Sequence, residues 1–152
     1  MGNRLTGGPN SFIKIIVWTF AGCLVIGIIA AITIPNFLKH RSNRQYEAKT
    51  NLRDLATMEA AFFSTKNRYA TSFAQIEWSP TLSSKFYTYY LSDTDVKKPK
   101  PPVYTMPEGV HAWATDKGFL AVAVANLDSD PVLDVWVIDD KGNLQNIVDD
   151  LK

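Results

Sequence analysis

An uncharged segment near the N-terminus constrains this 152-residue chain more than any other feature. No charged side chain occurs from Ile15 to Leu38, a run of 24 residues. As an α-helix this run would measure about 36 Å, which exceeds the roughly 30 Å hydrocarbon core of a bilayer. Its length, and the lack of a small-residue cleavage site at its end, argue against a removable secretory signal. We therefore predict a retained, single-pass transmembrane helix over 15–38, preceded by a short N-terminal segment, 1–14.

A proline and several small residues mark this uncharged run. Pro35 lacks a backbone N–H and crowds the carbonyl of Ala31, which predicts a loosened or kinked helix. Small side chains let a second helix approach closely within lipid. The small residues here are Gly22, Gly27, Ala30 and Ala31. The pattern leaves two interpretations, a generic anchor and a helix that packs against other helices.

Helical character continues beyond the uncharged run. The segment from Arg41 to Lys66 contains neither Gly nor Pro and is rich in good helix formers. Apolar residues recur in it at spacings of three and four, which predicts an amphipathic helix over 39–66. The stripe consists of Ala48, Leu52, Leu55, either Met58 or Glu59, and Phe62. Asn67 is placed to cap its C-terminal end.

The remaining residues, 67–152, read as a β-sheet domain. Segments with strand-like composition are separated by turn residues and by a proline-rich loop over 93–109. These segments are "KFYTYYLS", "VHAWAT", "FLAVAVAN", "LDVWVID" and "LQNIVDDL". We expect an antiparallel meander of about four strands packed on the amphipathic helix. The predicted fold class is therefore α+β, with a long N-terminal helix whose first half is transmembrane.

Composition and motifs exclude several classes of function. Sixteen Lys and Arg face fifteen Asp and Glu, so the chain lacks the basic excess that nucleic-acid binding requires. Neither His40 nor His111 has partners at metal-ligand spacing, which argues against zinc. No phosphate-binding loop and no nucleophile motif occurs in the sequence, so we expect a non-catalytic protein without an organic cofactor. Cys23 lies within the apolar run and is interpreted as a packing residue.

An acidic turn is the best candidate for a ligand site. The stretch "NLDSDPVLD" contains four residues with oxygen-bearing side chains, Asn126, Asp128, Asp130 and Asp134. Calcium prefers such oxygens, although the glycine and the distal glutamate of a standard calcium loop are missing. The same residue types are also good turn formers. The sequence leaves both interpretations open, an ordinary turn and a calcium site.

Two stretches resemble a known family. "GIIAAITIPNF", which includes Ile34, Pro35, Asn36 and Phe37, and the following "EAKTNLRDLATMEAAFFSTKNRYA" are similar to the N-terminal helix of type IV pilins and type II secretion pseudopilins. The C-terminal part resembles the β-sheet end of short pilins without disulfides. The resemblance implies a helix lying across an antiparallel sheet, a cytoplasmic N-terminal segment, 1–14, and a globular domain that is periplasmic or extracellular. The count of basic residues flanking the apolar run slightly favours the opposite orientation, and we follow the resemblance. It also implies that Gly27, Ala30, Ala31 and residues 34–37 make helix-packing contacts during assembly.

The sequence departs from this family upstream of the resemblance. Family precursors carry a leader that ends in Gly, and the fifth residue of the mature chain is Glu. Aligned on Gly27 and Pro35, the glutamate position falls at Trp18 and the leader glycine at Ile13. No acidic residue occurs from Met1 to Tyr46. We expect this chain to keep its N-terminus and to lack the usual assembly contact.

These observations predict an atypical minor or accessory subunit of a type IV pilus or type II secretion system. Its expected location is the bacterial cytoplasmic (inner) membrane, and its expected partners are the lipid bilayer, other pilin-like subunits and assembly-platform proteins. The alternative is a membrane-tethered periplasmic binding module on a pilin fold. In that case the acidic turn or the lysine-rich loop around Lys97 and Lys98 would bind an ion or a partner.

Overall fold

A computed structural model of the chain describes residues 9–81, 83–98, 100–128 and 130–151, and within helix α1 the side chains of 9–12, 25 and 29–42 are not described. The elements are α1 (Pro9–Lys66), β1 (Thr88–Tyr90), β2 (Val96–Lys97), β3 (Trp113–Thr115), β4 (Gly118–Ala125), β5 (Asp134–Asp139) and β6 (Leu144–Val148). The chain forms two compact units, Met1–His40 and Arg41–Lys152. The second unit contains the last part of α1 and the whole sheet.

The last part of α1 buries one stripe of its surface. Ala48, Leu52 and Leu55 are fully buried, at the positions that the sequence periodicity predicts. The sequence left the next position of the stripe open between Met58 and Glu59. The structure buries Glu59 completely, whereas Met58 is 39% exposed. A carboxyl group therefore occupies a place in the core that the pattern would also have allowed a methionine to fill.

Helix α1 ends at the asparagine that the sequence identified as a cap. Asn67 has a φ of 52°, a left-handed conformation that asparagine tolerates better than most residues. Its backbone N–H donates to the carbonyl of Phe63 at 2.8 Å. Ala70, just after this turn, donates its N–H to Oε2 of Glu59 at 2.9 Å. The buried glutamate thus ties the loop that follows the helix back onto the last turns of α1.

The sheet is antiparallel throughout the pairs that the structure describes, as the sequence predicted. The strand order is β2-β1-β4-β5-β6, and β3 pairs with β4 outside this path. The expectation of a meander of about four strands was wrong in two respects. The sheet has six strands among the described residues, and β1 and β3 share β4 as a partner. Thr88–Tyr90 pairs with Val122–Val124, and Trp113–Thr115 pairs with Gly118–Leu120.

Both faces of the central strands, β4 and β5, are buried in the described part of the chain. One face packs on α1, and small side chains on β4, Ala121, Ala123 and Ala125, belong to the same buried cluster as Leu52 and Leu55. Small residues on a strand let a helix pack close to the sheet. On the other face, β4 and β5 contribute valines that pack against the 104–112 loop, namely Val122, Val124, Val135 and Val137.

Polar side chains on α1 also hold the chain segment that leads into β1. The carboxylate of Glu47 accepts hydrogen bonds from the backbone N–H groups of Lys85, Phe86 and Tyr87 at 2.8 to 3.3 Å. One turn later, Asn51 is buried and donates to Ser84 and Tyr89 at 2.7 Å each. Since buried backbone and hydroxyl groups need partners, these contacts fix how the helix lies on the sheet within this unit.

Candidate functional site

The described side chains of the first unit form a surface of large apolar groups. All of the following are more than half exposed: Ile13, Ile15, Ile16, Val17, Trp18, Phe20, Leu24, Ile26 and Ile28. Residues 15–18 are consecutive, and at 100° per residue they cover every side of the helix. An all-round apolar helix is stable only inside a larger core or a lipid environment. This surface, Ile13–Ile28, is called the apolar helix surface below.

The predicted helix-packing residues are only partly described. At Gly27 an added Cβ would meet no atom of the described residues within 4 Å. Ala30, Ala31, Ile34, Pro35, Asn36 and Phe37 lie outside the residues whose side chains the structure describes. Their packing role stays a prediction.

The search for a membrane span gives a negative result for the described residues. Among them, no helical stretch is both long enough and apolar enough to cross a bilayer. The side chains of 29–38, the last part of the predicted span, lie outside the described set.

The acidic turn between β4 and β5 brings carboxylates together, but in a different combination from the predicted one. One carboxylate oxygen each from Asp128, Asp130 and Asp150 lies within 4.8 Å of the others. Asp130 is exposed, Asp128 is partly exposed and Asp150 is buried. This trio is called the acidic cluster below. Sequence reasoning missed Asp150 because it lies twenty residues beyond the turn, and only the path of β6 returns it there.

Asp134, which the sequence grouped with the turn, has a different environment. It is fully buried at the start of β5. Its Oδ1 accepts from Gln45, Asn146 and the backbone N–H of Asp150 at 3.0 to 3.3 Å. Its Oδ2 accepts from Tyr87 and from the indole N–H of Trp136, the latter at 2.7 Å. Five donors occupy this carboxylate, so Asp134 joins the helix, the sheet and the C-terminal turn.

The other members of the predicted site shape the turn itself. Asp128 Oδ1 accepts the N–H of Asp130 at 3.0 Å, and Asp130 Oδ1 accepts the N–H of Val132 at 2.7 Å. Asn126 donates its side-chain amide to the carbonyl of Asp130. These are the local bonds of an Asx-rich turn, the first of the two interpretations. They use one oxygen on each aspartate.

Asp150 is the unusual member of the acidic cluster. Its side chain is 4% exposed, and its Oδ2 accepts the backbone N–H of Leu127. Its Oδ1 is buried and has no hydrogen-bond partner among the described residues. Burial, followed by the nearby charges of Asp128, Asp130 and Asp134, raises the pKa of this carboxyl group above its ordinary value.

The lysine-rich loop and His111 are the remaining candidate features, and their side chains make contacts within the described part of the chain. Lys98 points inward, donates to the carbonyl of Phe86 at 2.6 Å and lies over the ring of Tyr104. It is therefore not a free charge on the lysine-rich loop. His111 pairs with Asp93 at 3.1 Å on the surface, and no third ligand joins them within the described groups.

Comparison with known proteins identifies a relative. The chain is 31% identical, over an alignment of 161 positions, to the type IV major pilin protein PilA of Myxococcus xanthus strain DK1622. The alignment covers 75% of this chain and 73% of that protein. No protein-family profile matches the chain.

Proposed function

Since the chain belongs to the type IV pilin family, we propose that it is a non-catalytic subunit that assembles with other pilin-type subunits through the first part of α1. In this proposal residues 15–38 anchor the chain in the inner membrane as a single span. The globular unit, Arg41–Lys152, then lies on the periplasmic or extracellular side.

The exposed apolar helix surface carries this proposal. Exposing a large apolar side chain to water costs about 1.5 to 3 kcal/mol relative to burying it. Side chains such as Trp18, which is 77% exposed, and Phe20 are not covered by the part of the chain that the structure describes. Lipid or the helices of other subunits would supply that cover. The relative named as a major pilin supports the choice of pilin-type helices as partners.

The finer assignment, an atypical minor or accessory subunit, rests on the residue that occupies the family's glutamate position. Trp18 stands there, and no acidic side chain occurs before Glu47. A buried carboxylate in the membrane is costly unless it has a partner. A chain without this group would enter an assembly by apolar packing alone, in a pilus or in a type II secretion machine, where platform proteins would also be partners.

Cysteine cross-linking in membranes tests the proposal. Cys23 is first replaced (Cys23→Ala), and single cysteines are then placed in turn along 24–38. We expect adducts, with a second copy or another pilin, at positions that repeat every three to four residues, because one helix face makes the contact.

The matched control is Ala60→Cys in the same background, an exposed position on the part of α1 that packs on the sheet. It should give no periodic adduct. Absence of adducts at every scanned position would contradict the proposal. Equal adducts at all positions would also contradict it, since they indicate random collision in lipid rather than a packed face.

A second candidate function, a membrane-tethered binding module, is favoured by the acidic cluster. Affinity capture with the full-length chain in detergent separates the two. Capture of the same partner by a chain in which Leu24–Phe37 is replaced by polyleucine would favour the module, since the replaced segment holds the proposed packing contacts.

A further inference from the structure

An unsatisfied carboxylate oxygen lies under the acidic turn. Asp150 Oδ1 is buried without a hydrogen-bond partner among the described residues, while Oδ2 is held by Leu127. Leaving such an oxygen without a hydrogen bond is unfavourable, and more so when the group is charged. The buried carboxylate of Asp134, whose Oδ1 accepts the backbone N–H of Asp150, shows that this fold can supply hydrogen-bond donors to both oxygens of a carboxylate. Asp150 Oδ1 therefore lacks a partner within the part of the chain that the structure describes.

Two more carboxylates lie close to the carboxylate of Asp150. The nearest oxygens of Asp128, Asp130 and Asp150 all lie within 4.8 Å of one another. Three negative charges at this separation repel each other strongly where one of them is buried. The local hydrogen bonds of the turn use one oxygen of Asp128 and one of Asp130. A cation would neutralise the repulsion and complete the coordination of Asp150.

We propose that Asp128, Asp130 and Asp150 bind a calcium ion, which fastens the C-terminal turn of the chain to the β4–β5 connection. Calcium bonds oxygen at about 2.4 Å, so ligands on opposite sides of one ion lie about 4.8 Å apart. Magnesium is usually bound through one or two carboxylates and keeps several waters, so three protein carboxylates favour calcium. Water molecules supply the remaining ligands. Asp134 is not a ligand, because five donors occupy it.

The site connects the C-terminus to helix α1 inside the globular unit. The carbonyl of Leu127, whose N–H Asp150 accepts, itself accepts from Arg44. Asp149, the neighbour of Asp150, accepts from Gln45 at 2.9 Å. An ion at the acidic cluster would thus order three segments at once, namely the turn, the C-terminal residues and one turn of the helix.

Calorimetric titration of the full-length chain in detergent with calcium chloride tests this inference. We expect binding with a Kd of about 10⁻⁴ to 10⁻³ M, the range of exposed extracellular sites. Asp130→Asn and Asp150→Asn should each weaken binding at least tenfold. Asp140→Asn, the same change in the turn between β5 and β6, is the matched control and should bind like the unaltered chain.

Thermal unfolding supplies a second readout. Calcium should raise the melting temperature of the unaltered chain and of Asp140→Asn relative to EDTA, and should not raise that of Asp150→Asn. In EDTA, Asp150→Asn should melt no lower than the unaltered chain, because it removes a repelling charge. If Asp150→Asn fails to fold, Asp130→Asn gives the same test with an exposed residue.

No heat and no thermal shift at millimolar calcium would overturn the inference. Full affinity in Asp150→Asn, or an equal response to magnesium, would overturn the assignment of the ligands or of the ion. None of these outcomes depends on helix packing in the membrane, so the inference and the proposed function fail separately.

Discussion

Two regions of helix α1 differ in where their apolar partners lie. In the region from Ala48 to Leu55, leucine side chains such as Leu52 are fully buried against the sheet. In the region from Ile13 to Ile28, comparable side chains are exposed, and Leu24 has 62% of its surface open. One helix thus contains a region that the sheet covers and a region whose described apolar side chains are exposed.

The difference shows why apolar periodicity alone does not reveal a helix's partner. The second region is apolar on one stripe, because a sheet covers one side only. The first is apolar all round, as in a helix surrounded by lipid or other helices. Polar contacts follow the same division, because Glu47 and Asn51 fix the second region by hydrogen bonds to neighbouring segments.

A matched pair of leucine truncations gives the largest expected effect. Leu52→Ala should lower the free energy of unfolding of the globular unit by about 3 kcal/mol, because it leaves a cavity in a fully buried place. Leu24→Ala should change it by less than about 0.5 kcal/mol, since that side chain contributes nothing to this core. Urea unfolding of the full-length chain in detergent, followed by near-ultraviolet circular dichroism, measures both.

Equal losses of unfolding free energy in the two leucine variants would contradict the difference between the two regions of α1. They would mean that the first region of α1 contributes to the stability of the globular unit as the second does.

The buried glutamate predicts a smaller, pH-dependent effect. Burial raises the pKa of Glu59 to about 7, against a partial lowering by the N–H of Ala70. The folded chain therefore holds this proton more tightly than the unfolded chain does. Its contribution to stability is complete below about pH 4.5 and is lost as pH rises through about 7. Glu59→Gln should remove this slope and, at pH 8, stabilise the chain by about 1 to 2 kcal/mol after solvent screening.

Glu108→Gln, an exposed change of the same chemistry, is the control and should keep the slope. The free energy of unfolding of the unaltered chain and of both variants, measured from pH 4 to pH 8, checks this prediction. A slope that persists in Glu59→Gln would show that another group in the core titrates in this window.

Much of the fold was predictable because it follows from local patterns. The stripe from Ala48 to Phe62, the cap at Asn67 and strands β4 to β6 have strong periodicity or turn residues. Strand β2 was missed because two residues carry no pattern, and Val96–Lys97 becomes a strand only by pairing with β1. The pairing of β1 with β4 was also missed, because the sequence does not specify the path of the long 98–112 connection between β2 and β3.

The acidic site was predictable only in part. Asp128 and Asp130 were identified because they are close in sequence, and the same closeness grouped Asp134 with them, whereas in the structure five donors occupy the Asp134 carboxylate. Alternation along β5 turns Asp134 to the helix side, where Gln45 and Tyr87 reach it. Asp150 was visible only as one of seven aspartates after residue 127, and tertiary structure was needed to place it.

Cysteine accessibility in native membranes tests the central claim most directly. The chain contains one natural probe, Cys23, on the apolar helix surface, and Ala60→Cys adds a second on the exposed side of the other region. A water-soluble maleimide should label position 60 and leave Cys23 unlabelled until the membrane is dissolved and the protein denatured. Labelling of Cys23 in intact membranes at the rate of position 60 would contradict the claim that outside partners cover the first region of α1.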